Sequence, residues 1–158
     1  MCMKTRVRGI DMKELIVIYS KTGNTRGVGM RLKEVLGCEL EEIKAVSDNP
    51  EQTYVELTNT PDVEAYPKVI FGSPVHGFTI PKITKAYLEG LPDLDGKKVD
   101  LFVTHFFPFA WMGGNQVLKQ MKKIILRKHG VVEKMTSVNW KSKKREIVIE
   151  TMIKSYQK

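Results

Sequence analysis

Short apolar runs alternate with segments of helical periodicity along this sequence, and that alternation restricts the fold more than any other feature. The runs have the length and the branched or aromatic content of β-strands. The first, third and fourth runs are nearly continuous in apolar residues, which is typical of strands buried on both faces. The predicted strands lie at residues 15–19, 38–43, 68–72, 99–105 and 131–140.

The segments between these strands place apolar residues on one helix face. Gly37 is positioned to end the first helix and Pro81 to begin the next. Segment 51–59, framed by prolines, is predicted to form a short helix. Strict alternation implies right-handed crossovers, so we predict an α/β fold: a doubly wound parallel sheet with helices on both faces. The apolar stripes are Val28, Leu32, Val35 and Leu36; Ile80, Ile83, Tyr87 and Leu91; Val117, Leu118, Met121, Ile124 and Ile125; and, in a final helix at 144–156, Ile149, Met152, Ile153 and Tyr156.

The length of the chain limits the number of domains. With 158 residues and 42% hydrophobic composition, we expect one globular domain over residues 13–158. Residues 1–12 are polar and basic and are expected to form a flexible tail, with Met12 as an alternative start. No apolar run has the length of a membrane span and no signal-peptide pattern is present, so we expect a cytoplasmic protein without a membrane partner. Cys2 and Cys38 lack the spacing of a disulfide framework or a zinc site.

Positive charge is concentrated in the last third of the chain. Residues 1–100 carry a net charge of −1 and residues 101–158 carry +9, within the overall charge of +8. A solvated helix face and a basic surface loop would explain this pattern, and a docking surface for an anionic partner is the alternative. The composition leaves both interpretations open.

A cluster of hydroxyl and amide side chains, SKTGNT, directly follows the first predicted strand. In an open parallel sheet, ligands bind beyond the carboxyl ends of the strands, where a helix N-terminus offers unpaired N–H groups and a positive dipole end. The segment lacks the patterns of a nucleoside-triphosphate loop and of a dinucleotide site, so it is predicted to hold a phosphate monoester. The alternative is that Thr22 or Asn24 only caps the helix. The predicted binding residues are Ser20, Lys21, Thr22, Gly23, Asn24 and Thr25.

The segment YSKTGNTR resembles the phosphate loop of the flavodoxin family, whose pattern is Ser/Thr-x-Thr-Gly-x-Thr after the first strand. The resemblance extends through VIFGSPVHGFTIPKITKAYL, which is similar to the third strand and isoalloxazine loop of that family. VTHFFPFAWMGG occupies the place of its second flavin loop. The resemblance covers most of residues 13–140 and implies noncovalently bound FMN on a five-stranded sheet of order 2-1-3-4-5.

The resemblance also implies roles for the residues after the third strand. Ser73 and Pro74 would begin the isoalloxazine loop, and the backbone of Val75, His76 and Gly77 would lie along the N5 edge of the ring. Gly77 is suited to that position because glycine tolerates positive φ, although an ordinary turn glycine would look the same. His76 would stack on the ring or tune its potential, or it is a polar surface residue.

The loop after the fourth strand, FFPFAWMGG, contains three phenylalanines and a tryptophan within six residues. An exposed loop of this composition needs a flat apolar surface to cover. Phe106 and Trp111 are therefore predicted to contact the flavin, and packing onto the core or onto a second subunit is the alternative. His105 is predicted to bond the flavin or to close the strand. Gly113 and Gly114 are expected to give the loop room and to lead into the next helix.

The sequence shows no constellation of a catalytic acid, a nucleophile or a metal site, so any reaction would be that of the cofactor. We therefore expect an FMN protein that exchanges electrons with a redox protein. The basic C-terminal third, unusual for electron carriers of this family, suggests that this partner is acidic. The first alternative is an FMN-dependent reductase that uses NAD(P)H and a small quinone. The second is a basic binding module without redox activity, although nucleic acid is not expected as a partner.

Overall fold

The computed structural model describes residues 14–106 and 113–157. Its strands are β1 (Leu15–Ile18), β2 (Glu39–Glu42), β3 (Lys44–Ala45), β4 (Leu57–Asn59), β5 (Lys68–Pro74), β6 (Lys98–His105) and β7 (Val131–Asn139). The main sheet is entirely parallel, with strand order β2-β1-β5-β6-β7. Because β5, β6 and β7 are the third, fourth and fifth strands of this sheet along the chain, the predicted order 2-1-3-4-5 is confirmed.

Two helices cover each face of the sheet. Side chains of α1 and α4 pack with one apolar cluster, around Phe102, and those of α2 and α3 pack with the other, around Phe71. The predicted doubly wound architecture is therefore confirmed. Among the described residues, no helix combines the length and apolar character that crossing a bilayer requires. The helices are α1 (Asn24–Leu36), α2 (Lys82–Glu89), α3 (Gly114–Arg127) and α4 (Arg145–Lys154).

The helix predicted at 51–59 is wrong. Residues 51–56 are without regular secondary structure, and the last three residues of the segment form β4, which pairs antiparallel with β3. Val55 and Leu57 both pack against the core, and their spacing of two residues is that of an extended chain rather than a helix. The side chain of Asn49 accepts a hydrogen bond from the Glu51 amide at 2.9 Å, which favours a turn before Pro50 can begin a helix.

A buried carboxylate fastens the C-terminal helix to the sheet. Asp100, the third residue of β6, is 1% exposed and forms an ion pair with Lys68 at 3.0 Å. The carboxylate also accepts hydrogen bonds from the Lys134 amide and the Tyr156 hydroxyl. Burial, followed by the hydrogen bond to Asp100, raises the pKa of Tyr156. This network lies on the same sheet face as α4 and holds the end of the chain against β6 and β7.

Candidate cofactor site

The crevice of the sheet lies between the carboxyl ends of β1 and β5. These strands are neighbours, yet the helices that follow them, α1 and α2, lie on opposite faces. The chain direction across the sheet therefore reverses here, and such a switch point opens a crevice between two loops. The loops are residues 20–23, before α1, and residues 75–81, before α2. The structure thus brings together the predicted phosphate loop and the predicted isoalloxazine loop.

The predicted phosphate loop turns so that the Ser20 side chain meets the start of α1. Ser20 Oγ accepts hydrogen bonds from the amides of Gly23 and Arg26, both at 3.2 Å. Gly23 has φ of 101°, a left-handed conformation that glycine adopts without a Cβ penalty. The amides of Asn24 and Thr25, in the first turn of α1, donate to no group among the described residues. Two N–H groups and the Ser20 hydroxyl hydrogen are therefore available to one anion.

Thr25 connects the start of α1 to the sheet through a buried hydrogen bond. Its side chain is 1% exposed, and its hydroxyl shares a hydrogen bond of 2.9 Å with the hydroxyl of Thr104 at the end of β6. Contact of Thr25 with a phosphate stays a prediction, as it does for the exposed Lys21 and for Thr22. The carbonyl of Thr104 also accepts a hydrogen bond from the amide of Val75, in the isoalloxazine loop, at 3.1 Å. Thr104 therefore links both loops of the crevice.

An arginine next to the phosphate loop is already paired. Arg26 donates two hydrogen bonds to the Glu42 carboxylate, from Nε at 2.6 Å and from Nη2 at 2.9 Å. The hydrogen bond from Arg26 lowers the pKa of Glu42. An anion in the loop would therefore meet neutral hydroxyl and amide donors, and the charge of the nearby Arg26 would already be balanced by Glu42. Sequence reasoning did not identify this pair, because no local pattern joins the start of α1 to the end of β2.

The isoalloxazine loop is closed by a tight two-residue turn. The amide of His76 donates to the Thr79 carbonyl at 3.0 Å, and the amide of Thr79 donates to the His76 carbonyl at 2.9 Å. Gly77 and Phe78 between them have φ values of 52° and 69°, as in a type I′ turn. The positive φ of Gly77 fits both an ordinary turn glycine and a position beside a flavin, so its place at the N5 edge stays a prediction. Phe78 was not predicted: it is an aromatic residue, 42% exposed, in a backbone conformation that costs about 1–3 kcal/mol.

The residues at the start of this loop face in different directions. Ser73 is fully buried, and its hydroxyl shares a hydrogen bond of 2.8 Å with the hydroxyl of Thr84 in α2. Its side chain therefore positions α2 against β5. Pro74 and Val75 are partly buried, and Val75 packs against the core. Direct contacts of these three residues with a cofactor stay predictions.

Four ionisable side chains from three loops gather beside the crevice. The rings of Tyr19 and His76 meet edge to face, with centroids 6.0 Å apart, and Lys21 Nζ lies 3.4 Å from the carbonyl oxygen of Asp48. Burial, and then the charge of Lys21, lowers the pKa of His76. Burial, and then the charge of Asp48, raises the pKa of Tyr19 to about 12. The Tyr19 hydroxyl is buried, without a hydrogen-bond partner among the described residues.

The third predicted loop is described only at its ends. Residues 107–112, including Trp111, lie outside the described residues. Phe106 is 48% exposed, and Lys141 Nζ lies 6.0 Å from the centroid of its ring. The flavin contacts predicted for Phe106 and Trp111 stay predictions.

His105 and the glycines after the loop are set by protein packing. His105 is 3% exposed, and its carbonyl accepts a hydrogen bond from the Trp140 amide at 2.7 Å, so it closes the strand as one alternative predicted. Gly113 precedes α3, and Gly114 is its first residue. A Cβ at Gly114 would lie 2.1 Å from Ser137 Oγ and 3.0 Å from the His105 ring, so glycine is needed where α3 meets the sheet. A flavin contact of these residues stays a prediction.

Neither a protein-family model nor a curated protein matches this sequence. Solved structures do match its fold. A flavoprotein in complex with FMN from Lactobacillus acidophilus NCFM aligns with a TM-score of 0.63 and 17% identity, over 92% of this chain and 99% of the other. Oxidised flavodoxin 2 from Bacillus cereus aligns with a TM-score of 0.64 and 18% identity, over 90% and 96%. The Trp repressor binding protein from Bacillus subtilis aligns with a TM-score of 0.70 and 10% identity, over 92% and 100%. These similarities show that the chain has a flavodoxin-like fold.

Proposed function

We propose that this chain, which has the flavodoxin-like fold, binds FMN noncovalently and exchanges electrons with a protein partner through it. The observation that carries the proposal is the phosphate loop at the switch point, where Ser20 and the amides of Asn24 and Thr25 converge at the positive end of α1. The match to a solved flavoprotein in complex with FMN supports the same cofactor. A cytoplasmic location is part of the proposal.

The residues of this loop fit a phosphate monoester. The amides of Asn24 and Thr25, which have no partner among the described residues, and the Ser20 hydroxyl hydrogen would donate to the terminal oxygens of a monoester. Gly23 removes the side chain that would otherwise crowd the anion. The compensated Arg26–Glu42 pair adds no net charge, so binding would depend on directional donors more than on long-range attraction.

The second loop fits the ring of a flavin. Phe78 presents an exposed aromatic side chain at the tip of the turn. Gly77 leaves open space, since no atom of the described residues, apart from its chain neighbours, lies within 4 Å of the point that a Cβ would occupy there. When bound, FMN would supply the redox chemistry, as flavins do in other proteins. The chain's own residues would hold the phosphate, orient the ring and keep its inner edge away from water.

The content of the described residues favours a protein partner over a small oxidant. The described residues form one parallel sheet, its helices, the short β3–β4 pair and the connections between them, and they contain no separate nicotinamide-binding unit. Because NAD(P)H could still bind directly above the ring, the FMN-dependent reductase of quinones remains the competing function.

Stopped-flow spectroscopy of the FMN-loaded protein separates these two functions. The flavin absorbance is followed after mixing with NADH or NADPH, with and without a soluble quinone, and after mixing with a reduced ferredoxin. The proposal predicts fast electron exchange with the protein donor and slow reduction by either nicotinamide. Fast, saturable turnover with a nicotinamide and the quinone would instead establish the reductase.

A further inference from the structure

A cluster of cations and aromatic rings lies at the carboxyl edge of β6 and β7, and we call it the basic rim. It adjoins the candidate site because Phe106 directly follows β6, and the Trp140 amide donates to the His105 carbonyl at 2.7 Å. Its cations occupy the short connection between β7 and α4 and the first residue of α4. The basic rim consists of Phe106, Trp140, Lys141, Lys143, Lys144 and Arg145.

Two cations of the basic rim are held over aromatic rings. The Arg145 guanidinium lies 4.6 Å from the centroid of the Trp140 ring, and Arg145 Nη1 donates to the Trp140 carbonyl at 2.7 Å. Lys141 Nζ lies 6.0 Å from the centroid of the Phe106 ring. Such contacts limit the motion of the charged groups, so less conformational entropy is lost when a partner binds them.

Three of the four cations of the basic rim have no ion-pair partner among the described residues. Lys141, Lys143 and Lys144 are exposed, and in the described part of the chain no carboxylate lies within ion-pair distance of them. The nearby Glu146 forms its shorter ion pair with Arg31, at 2.9 Å, and a longer one with Arg145 Nε, at 3.9 Å. Cations at this end of α4 also oppose its dipole, which disfavours positive charge at a helix N-terminus. An anionic partner would relieve this repulsion.

We propose that the basic rim is the docking surface for an acidic protein. That protein is the redox partner of the function proposed above, so this inference rests on that function. A second copy of this chain would present the same positive surface and be repelled. Nucleic acid is disfavoured because bases stack on open aromatic faces, whereas the Arg145 guanidinium lies over the ring of Trp140. Docking here would place the partner beside the loop that follows β6, next to the candidate ring site.

Binding of a strongly acidic [2Fe–2S] ferredoxin to the full-length, FMN-loaded protein tests this surface. Affinity is measured by titration calorimetry at ionic strengths from about 0.01 to about 0.15 M, over which the Debye length falls from about 30 to about 8 Å. The rim variant replaces Lys141, Lys143 and Lys144 with Gln and leaves the packed Arg145 in place. The matched control replaces the exposed Lys119, Lys123 and Arg127 of α3 with Gln, which removes the same charge elsewhere.

The rim variant is expected to bind the ferredoxin about tenfold more weakly at low salt, with a flatter salt dependence, while the control changes affinity by less than about threefold. Both variants should retain the wild-type affinity for FMN. Equal weakening in the two variants would overturn the proposal, because net charge alone would then explain it. Undetectable ferredoxin binding at low salt would also overturn it, even if FMN binds as proposed. If the protein bound duplex DNA more tightly than the ferredoxin, and the rim variant lost that binding, the surface would belong to nucleic acid and the proposal would be overturned.

Discussion

Thr104 is the residue on which both loops of the candidate site depend. Its hydroxyl bonds Thr25 in the first turn of α1, and its carbonyl accepts the amide of Val75 in the isoalloxazine loop. The residue was not predicted, because the two threonines lie 79 positions apart and neither has a local signal of pairing. The sequence could identify the donors of the phosphate loop, but not the side chain that holds them in place.

Replacing Thr104 with Val is expected to destabilise the fold by roughly 1–3 kcal/mol, because the buried Thr25 hydroxyl loses its partner. Replacing both threonines with Val should restore most of that free energy, since no buried hydroxyl is then left unpaired. Urea unfolding of the two single variants and the double variant measures the coupling. Additive losses would show that the two hydroxyls do not interact. If the double variant is stable but binds FMN weakly, Thr25 also contacts the phosphate, as the sequence predicted.

His76 is expected to titrate below its ordinary pKa of about 6.5 in the folded protein. Between the depressed pKa and about 6.5, the unfolded chain binds more protons at this residue, so stability rises with pH through that window. The contribution of His76 is therefore present above about pH 6.5 and is lost as pH falls through the folded pKa. NMR titration of the imidazole measures the shift, and Lys21→Gln should reduce it, because the Lys21 charge is its second cause. A His76 pKa at or above 6.5 would contradict this account.

At the scale of elements, the close contact of β5 and β6 depends on one glycine. A Cβ built at Gly72 would lie 2.2 Å from Cζ of Phe102, whose ring covers the glycine from the neighbouring strand. The pattern of the predicted third strand included Gly72 without indicating why a glycine is needed inside a buried strand. Glycine is needed because the ring of Phe102, 30 residues further along the chain, occupies the space that a side chain would need.

Gly72→Ala is expected to cost roughly 1–3 kcal/mol or more, because Phe102 must leave its rotamer or separate the strands. Combining it with Phe102→Leu should recover part of that loss. Thermal unfolding of the two single variants and the double variant measures the lost and the recovered free energy of unfolding. Gly27→Ala is the control: Gly27 is exposed in α1 with no atom within 4 Å of its Cβ position, so this change should stabilise by about 0.5–1 kcal/mol. A neutral Gly72→Ala variant would mean that the two strands adjust without cost.

The elements that sequence could predict are those with a repeating apolar period. The five strands of the main sheet and the four helices follow from such periods, and all were found. The β3–β4 pair was missed because its strands are too short to show alternation and the prolines around it also suit a helix start. Similarly, Phe78 was missed because positive φ is signalled by glycine or asparagine and seldom by an aromatic residue.

At the scale of the whole molecule, the amino and carboxyl ends of the strands carry different groups of residues. The amino ends of the strands carry the buried Asp100 network, which fastens α4 and the end of the chain. The carboxyl ends carry the predicted phosphate loop, the predicted isoalloxazine loop and the basic rim. Each of the three bonds the end of β6: the two loops bond Thr104, and the Trp140 amide of the rim bonds the His105 carbonyl. The Asp100 network and the candidate site thus lie at opposite ends of the strands, and the rim variants should leave the fold unchanged.

The central claim is that the loop at the start of α1 binds the phosphate of FMN. Titration of the apoprotein with FMN and with riboflavin, followed by quenching of flavin fluorescence, tests it most directly. Two or three hydrogen bonds to a charged phosphate should make FMN bind at least about 100-fold more tightly than riboflavin, which lacks that group. Equal affinity for the two flavins, or no binding of either, would contradict the assignment of residues 20–25 as a phosphate site.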